Sequence, residues 1–149
     1  MIEGVVIVPL RRISDERGTV FHMMRRDDPH FREFGEIYFS SIYPGVVKGW
    51  HLHERMTLNY ACIVGEIKLV LYDERPSSPT RGEIQEVYLG ERRYVRVTVP
   101  PGVWNGFMNV GTREAIVANC ATIPHDPAEI RRLDPHRNHI PYAWARKNG

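Results

Sequence analysis

Alternation of apolar and polar residues marks much of this chain as short β-strands. The segment RYVRVTV, residues 93–99, shows the pattern most clearly, because Val95, Val97 and Val99 face one way and the residues between them face the other. A period of two indicates a strand with one buried face. The segment EIKLVLYD, residues 66–73, alternates in the same way and is also predicted to be a strand.

Apolar runs bounded by proline, glycine or polar turn residues predict more strands. They are VVIVPL (5–10), EIYFSSI (36–42), VVKGWHLH (46–53), LNYACIV (58–64) and AIVANCAT (115–122). Loops are expected at ERPSSPTRG (74–82) and VPPG (99–102). About eight or nine strands at regular spacing favour an antiparallel sandwich or barrel, which can enclose a small ligand. The length, 149 residues, fits one domain spanning 1–149.

One short helix is predicted near the C-terminus. Asp126 is a suitable N-cap, Pro127 follows it, and Glu129 stands three positions after the cap. The segment EIRRL, residues 129–133, then supplies about two turns. The fold prediction is therefore all-β with one C-terminal helix.

Composition limits the classes of partner. Charged residues make up 26% of the chain and the net charge is +2, which favours anionic small ligands and lacks the concentrated basic stripe of a nucleic-acid-binding protein. Cys62 and Cys120 stand in apolar runs, so we predict buried reduced thiols rather than a disulfide. There is no signal-peptide pattern and no apolar run near the ~20 residues of a membrane span. We expect a cytoplasmic protein that binds neither nucleic acid nor membranes.

The segment GVVKGWHLHERMTLNYACIVG, residues 45–65, carries two histidines two positions apart. On a strand His51 and His53 point to the same face, which in a barrel lines the interior. The glycine spacing around them and the segment PPGVWN, residues 100–105, resemble the frame of metal-binding cupins. The alternative, that both histidines are solvated residues of a polar face, stays open.

Two ligand positions of that frame carry residues that do not suit a metal. Leu58 stands at the glutamate position and Asn105 at the position of the last histidine. A catalytic zinc site needs three protein ligands and an open position. We therefore predict a cupin barrel that works without a metal.

Five sequence segments follow one another along nearly the whole chain in the order of a known family. They are ISDERG (13–18), GVVKGWH (45–51), VGE with YDERPSSPT (64–66 and 72–80), PPGVWNGF (100–107), and LDP followed by Ile140 and Trp144 (133–144). Together they resemble the motifs of the dTDP-4-dehydrorhamnose 3,5-epimerase family. The resemblance implies a cupin jelly roll, a homodimer, no cofactor, and a nucleotide-linked 4-keto-6-deoxy sugar as substrate.

The family chemistry gives His51 a role. Protons at C3 and C5 of a 4-keto sugar are acidic because both carbons adjoin the carbonyl group, and a histidine suits their removal at neutral pH. By resemblance His51 is the base, and Asp134 is the carboxylate that fixes its tautomer. An enzyme of this kind needs the two side chains within hydrogen-bond reach, whereas a binding protein does not.

Further residues correspond to positions that contact substrate in the family. Arg17 and Lys48 correspond to arginines that meet the diphosphate, and Arg17 can serve the neighbouring subunit of a homodimer. Glu36 stands where the family often has glutamine, and Tyr38 where it has asparagine. These two differences predict a different nucleotide preference.

Three positions depart from the family pattern. Leu58 replaces a lysine that holds the developing enolate, Asn105 replaces the second histidine, and Ala118 replaces the general-acid tyrosine. Three outcomes are open: other side chains take over, the protein epimerises one carbon or isomerises a keto sugar, or it binds a nucleotide sugar without catalysis. The candidates for taking over are His53, Asn105, Tyr60 and Asn119.

Overall fold

The computed structural model describes residues 1–146 and contains twelve β-strands in this range. They are β1 (Val6–Pro9), β2 (Arg12–Asp15), β3 (Gly18–Phe21), β4 (Glu36–Ile42), β5 (Val47–His53), β6 (Leu58–Val64), β7 (Glu66–Asp73), β8 (Ile84–Gly90), β9 (Val95–Val99), β10 (Val103–Asn109), β11 (Ala115–Ala121) and β12 (Ile130–Arg132). The predicted all-β architecture is confirmed. Strands β2, β3, β8, β10 and β12 were not predicted.

Two five-stranded antiparallel sheets form the barrel. The first has the order β1-β9-β6-β11-β4, and the second has the order β12-β5-β10-β7-β8. Alternate residues of both sheets point inward and form one buried apolar core, to which Leu58, Val97 and Leu69 belong. The edge strands β4 and β12 belong to different sheets, so the space between them is an opening into the barrel.

The outer face of the second sheet is covered by the C-terminal segment. A second apolar cluster lies there, formed by Trp50, Leu52, Val70, Trp104 and Ile140, with Leu133, Tyr142 and Trp144 packed against it. Because this face of β5 is buried in packing, the opposite face of the same strand is the one that reaches the barrel interior.

The predicted C-terminal helix is wrong. Asp126 is an N-cap as expected, since its Oδ1 accepts the N–H of Ala128 at 3.0 Å, but only a 3₁₀ turn, Pro127–Glu129, follows. The next residues pair with β5 as strand β12. A two-turn helix is too short to be stable alone, and pairing with β5 gives the same backbone groups hydrogen bonds. No helix within residues 1–146 is long and apolar enough to cross a membrane.

The cysteine prediction is confirmed, because Cys62 and Cys120 are both free and buried. Cys62 belongs to the main core cluster. Burial, with the nearby carboxylates of Glu66 and Glu91, raises the pKa of Cys62 to about 12. At neutral pH this thiol is therefore a small apolar core group and not a nucleophile.

Candidate active site

A cavity of about 380 Å³ lies at the opening between the two sheets. Strands of the first sheet and strands of the second supply opposite walls. The lining residues are Glu36, Tyr38, His51, His53, Met56, Tyr60, His125, Ile130 and Arg132. The volume falls in the range of small-molecule sites. The predicted site residues among them are Glu36, Tyr38, His51, His53 and Tyr60.

His51 contacts an arginine and not a carboxylate. Its Nε2 lies 3.0 Å from Nη1 of Arg132, which faces it across the β5–β12 pair. A guanidinium has only donors, so Nε2 must accept, and the neutral ring carries its proton on Nδ1. Burial, the Arg132 guanidinium and His53 lower the pKa of His51 to about 4. At neutral pH this imidazole is uncharged and has a lone pair on Nε2.

His53 has the opposite setting. Its Nδ1 lies 2.6 Å from Oε2 of Glu129, and both side chains are buried. The other oxygen of Glu129 accepts the backbone N–H groups of Arg55 at 3.1 Å and Met56 at 2.8 Å. Burial opposes the charge on Glu129, but the N–H of Met56, the His53 ring and the N–H of Arg55 outweigh it and lower the pKa of this carboxyl. Glu129 is therefore ionised, and Nδ1 of His53 donates to it.

Tyr60 reaches the cavity from the first sheet. Its hydroxyl donates to Oδ1 of Asn105 at 2.9 Å, and Nδ2 of Asn105 donates to the carbonyl of His51 at 3.0 Å. Burial and the neighbouring Tyr38 raise the pKa of Tyr60 well above its ordinary value. Asn105 thus lies behind the cavity wall and links the tyrosine on one sheet to the histidine strand on the other.

Tyr38 occupies the wall opposite His51. Its phenolic oxygen accepts a hydrogen bond from Nδ2 of Asn119 at 3.0 Å. Oδ1 of Asn119 in turn accepts the backbone N–H of Asn59 at 3.0 Å, which fixes the amide. Since the Tyr38 oxygen is an acceptor in this bond, its own proton remains available to a molecule in the cavity.

Three predicted site residues lie away from this cavity. Nζ of Lys48 donates to the Ser40 hydroxyl at 2.9 Å and the Ser41 carbonyl at 2.6 Å. Arg17 is exposed on the β2–β3 hairpin and pairs with Asp15, with Nη2 and Oδ2 2.6 Å apart. The third residue is Asp134.

The predicted hydrogen bond between His51 and Asp134 is not among those of residues 1–146. Oδ1 of Asp134 accepts the backbone N–H groups of His136 at 2.8 Å and Arg137 at 2.9 Å, so this carboxylate stabilises its own turn. The place beside His51 is taken by Arg132. A catalytic role for Asp134 stays a prediction.

Glu129 and Arg132 contact the two histidines of the candidate site and were not indicated by the sequence. Glu129 was interpreted as the acid of a helix start, and Arg132 as part of the helix that follows it. Both belong to the segment that was expected to be a helix. If Ile130–Arg132 had been predicted to be a strand, its pairing with β5 would have placed Glu129 and Arg132 beside the two histidines.

The residues that replace the family's lysine and tyrosine do not line the cavity. Leu58 is buried in the main core and Ala118 lies buried on β11. Within residues 1–146 there is no group of three or more His, Cys, Asp or Glu side chains arranged to hold a metal ion. The polar groups that line the cavity are the imidazole, phenol, carboxylate and guanidinium groups described above.

A jelly-roll barrel with a polar, histidine-containing cavity between its two sheets is the architecture of the cupin class. Comparison with known proteins gives the family. The model of the dTDP-4-dehydrorhamnose 3,5-epimerase family matches residues 1–148, and the chain belongs to this family. The resemblance found in the sequence is confirmed, and the family indicates an enzyme of the nucleotide-sugar epimerase kind.

Individual relatives agree with this family. The solved structure of a dTDP sugar isomerase from Desulfovibrio desulfuricans G20 is 44% identical, with a TM-score of 0.95 over 99% of this chain and 94% of that chain. The spore coat polysaccharide biosynthesis protein SpsL of Bacillus subtilis (strain 168) is 32% identical over 142 residues, or 95% of this chain and 91% of that protein. The probable low-salt glycan biosynthesis epimerase Agl13 of Haloferax volcanii is 32% identical over 143 residues, or 95% and 88% of the two chains.

Proposed function

We propose that the protein epimerises a nucleotide-linked 4-keto-6-deoxy sugar at C3, C5 or both, with His51 as the base. The observation that carries the proposal is the neutral imidazole of His51 in a cavity whose opposite wall presents a tyrosine hydroxyl. Removal of a proton next to a ketone requires an unprotonated base on one side of the sugar. Inversion requires a proton donor on the other side.

His51 meets the first requirement because burial, together with the Arg132 guanidinium, keeps its ring uncharged. In the free protein the lone pair on Nε2 of His51 points at the guanidinium. When Arg132 moves to an anionic group of the substrate, a substrate carbon lies beside Nε2 instead. A diphosphate is such a group, since arginine pairs with phosphate in a two-pronged geometry. Arg132 thus protects the base in the free enzyme and contributes to substrate binding.

Tyr38 meets the second requirement. It lies on β4 of the first sheet, whereas His51 lies on β5 of the second. Tyr60 shares that wall, but its proton is engaged by Asn105. We assign Tyr38 as the donor that returns a proton to the face opposite His51, with water restoring the proton to the phenol. It takes over the role of the family tyrosine that Ala118 replaces.

The remaining predicted residues hold the substrate in this proposal. Glu36 and the lone pairs of Tyr60 accept hydrogen bonds from sugar hydroxyls, and Asn105 and Asn119 fix the two tyrosines. Lys48 and Arg17 are positive charges for the diphosphate.

A homodimer gives Arg17 a place in this scheme. The β2–β3 hairpin forms its own small sheet, and Val20 on it is 59% exposed. Strand β4 ends the first sheet next to the cavity, with Phe39 60% exposed. An apolar hairpin and an apolar sheet edge suit contact with a second copy. We propose that the hairpin of one subunit brings Arg17 to the cavity of its partner.

The test follows hydrogen exchange at carbon. The protein is incubated in D₂O with dTDP-, GDP- and CDP-linked 4-keto-6-deoxyhexoses, and the H3 and H5 signals are recorded by NMR. We expect loss of one or both signals together with an inverted centre, and no loss with His51→Asn. His139→Asn, which changes a surface histidine, is the control and retains activity. No exchange with any of the three sugars would refute the epimerase and favour a binding protein.

A keto-sugar isomerase on the same class of substrate is the second candidate. The observation that favours it is the presence of two imidazoles, His51 and His53, on one face of one strand. Moving the ketone between neighbouring carbons requires bases on the same side of the sugar. The same NMR experiment distinguishes the two, because an isomerase shifts the carbonyl carbon signal from C4 to C3 and an epimerase does not.

A further inference from the structure

The epimerase scheme gives the buried pair of His53 and Glu129 no role of its own. The residue His53 is 8% exposed and Glu129 is 3% exposed, yet His53 lines the cavity. Placing an ionised carboxylate in a barrel wall is unfavourable unless it is well paired. Here it receives three hydrogen bonds, one of them from His53, so the ring is held with Nε2 as its free nitrogen.

The two histidines of β5 have opposite charge environments. A guanidinium lies against His51 and disfavours its imidazolium form, whereas a carboxylate lies against His53. Neighbouring titratable groups with opposed environments can supply the base and the acid of one site.

We propose that His53, protonated and held by Glu129, is the group that binds the ketone oxygen and stabilises the enolate formed when His51 removes the neighbouring proton. This inference rests on the proposed epimerase function. His53 is a catalytic residue in this scheme, and Glu129 is a positioning residue that acts through it.

The electrons and protons balance in the following way. His51 takes the proton from the carbon next to the ketone, and the C–H electron pair becomes the C=C bond of the enolate. The π pair of the ketone moves to oxygen, where the Nε2–H of His53 holds the charge. When Tyr38 returns a proton to the opposite face of the carbon, the ketone forms again and His53 keeps its proton. His51 then releases its proton to water, and water returns a proton to the Tyr38 phenolate.

The spacing of the two rings suits these roles. Residues i and i+2 of a strand lie on one face about 6.6 Å apart. This is a backbone spacing, and the two rings extend from it into the same cavity. A base and an electrophile on adjacent same-face positions can therefore contact the two ends of one enolising unit.

Several charged or titratable groups face His53 from other elements. Among the charged ones, Glu129 lies on the 3₁₀ turn, Glu36 on β4 and Arg132 on β12. The full set around the cavity is Glu36, Tyr38, His51, Tyr60, His125, Glu129 and Arg132. Among the charged groups of this set, Glu129 is in direct contact with the ring.

In this proposal His53 compensates for the weak basicity of His51. With the pKa of His51 lowered to about 4, proton removal from carbon is unfavourable unless the enolate is stabilised at the same time. The lysine that serves this purpose in the family is replaced by Leu58, which lies in the core. His53 supplies a charged donor from a different strand.

Two variants test the proposal by kinetics. His53→Gln keeps a polar side chain but cannot carry the charge, and we expect kcat to fall about 10²–10³-fold with little change in KM. Glu129→Gln keeps an oxygen for the N–H groups of Arg55 and Met56 but removes the carboxylate from His53. We expect the high-pH limb of kcat/KM to move down by about one to three pH units.

The chain offers a matched control for Glu129→Gln. Nε2 of His139 lies 2.6 Å from Oε2 of Glu74 in an ion pair whose side chains are 55% and 36% exposed, outside the cavity. Glu74→Gln removes the same kind of carboxylate–imidazole contact, and we expect an unchanged pH profile. A shift of the same size in both variants would overturn the inference.

A measurement on the unliganded wild-type protein gives a result even if a variant does not fold. In ¹⁵N spectra of the histidine rings at the pH of maximal activity, we expect both nitrogens of His53 to be protonated and His51 to be neutral. A neutral His53 overturns the inference. It is also overturned if both variants have rates within about threefold of wild type and unchanged pH profiles. Exchange that is lost with His53→Gln but kept with His51→Asn would reverse the roles and also overturn it. A wild-type protein without exchange refutes the proposed function and this inference together.

Discussion

Replacing Arg132 with glutamine tests what keeps His51 neutral. Nη1 of Arg132 lies 3.0 Å from Nε2 of His51. At that separation two unit charges repel by about 1.4 kcal/mol even with the screening of bulk water. This energy equals about one pH unit. Burial is the larger cause of the lowered pKa of His51, and it remains in the variant. We therefore expect His51 in Arg132→Gln to titrate about one pH unit above its wild-type value of about 4.

The assay is the ¹⁵N titration of the His51 ring together with the low-pH limb of hydrogen exchange at the sugar carbons. Both are expected to move to higher pH in Arg132→Gln, because a ring without the neighbouring cation binds its proton more tightly. Arg131→Gln is the matched control, since the Arg131 guanidinium lies 5.6 Å from the centre of the Trp104 ring, on the outer side of the sheet. If both variants titrate like wild type, the guanidinium does not set the proton affinity of His51 and the reasoning fails.

Three further predictions concern stability and reactivity. The pKa of His51 is about 4 in the folded protein and 6.5 ordinarily, so the unfolded chain binds more protons between these values. Stability therefore falls as the pH drops from 6.5 to 4. The melting temperature of His51→Asn should fall less over this range than that of the wild type. Tyr60→Phe leaves Oδ1 of the buried Asn105 without its donor and should lower the unfolding free energy by about 1–3 kcal/mol in urea titrations; an unchanged midpoint contradicts this. Cys62 should resist thiol reagents until the protein unfolds, and fast labelling in native buffer would contradict its burial.

Strand prediction succeeded where an apolar or alternating segment is bounded by turn residues. The bounds predicted for Leu58–Val64 and Glu66–Asp73 agree with β6 and β7, which flank Gly65 and are buried along most of their length. The hairpin of β2 and β3 was missed, since both strands are four residues long and exposed and have no periodic signal. Strand β10 follows a Pro-Pro-Gly turn and carries Asn105 and Gly106, which are weak strand formers.

Local patterns located several cavity residues but not the contacts between distant segments. The period of two placed His51 and His53 on one face of a strand, and both line the cavity, as do the candidate residues Tyr38 and Tyr60. The carboxylate that pairs with a histidine was expected to be Asp134, and the observed contact joins Glu129 to His53. Residues 53 and 129 are 76 positions apart, and their contact depends on how the last strand pairs, which local patterns do not encode.

The register of β12 sets the charge environment of both histidines at once. Arg132 is paired with His51, and Ile130 is paired with His53, so the residue before β12, Glu129, turns in beside the His53 ring. Side chains directly opposite each other in an antiparallel pair share a face. A slip of one residue would move the Arg132 guanidinium to the outer face. It would remove the cation from His51 and misplace the carboxylate that serves His53. Three residues of strand and one 3₁₀ turn thus place a cation beside one imidazole and a carboxylate beside the next, and the proposal that one strand supplies both a base and an acid rests on this difference.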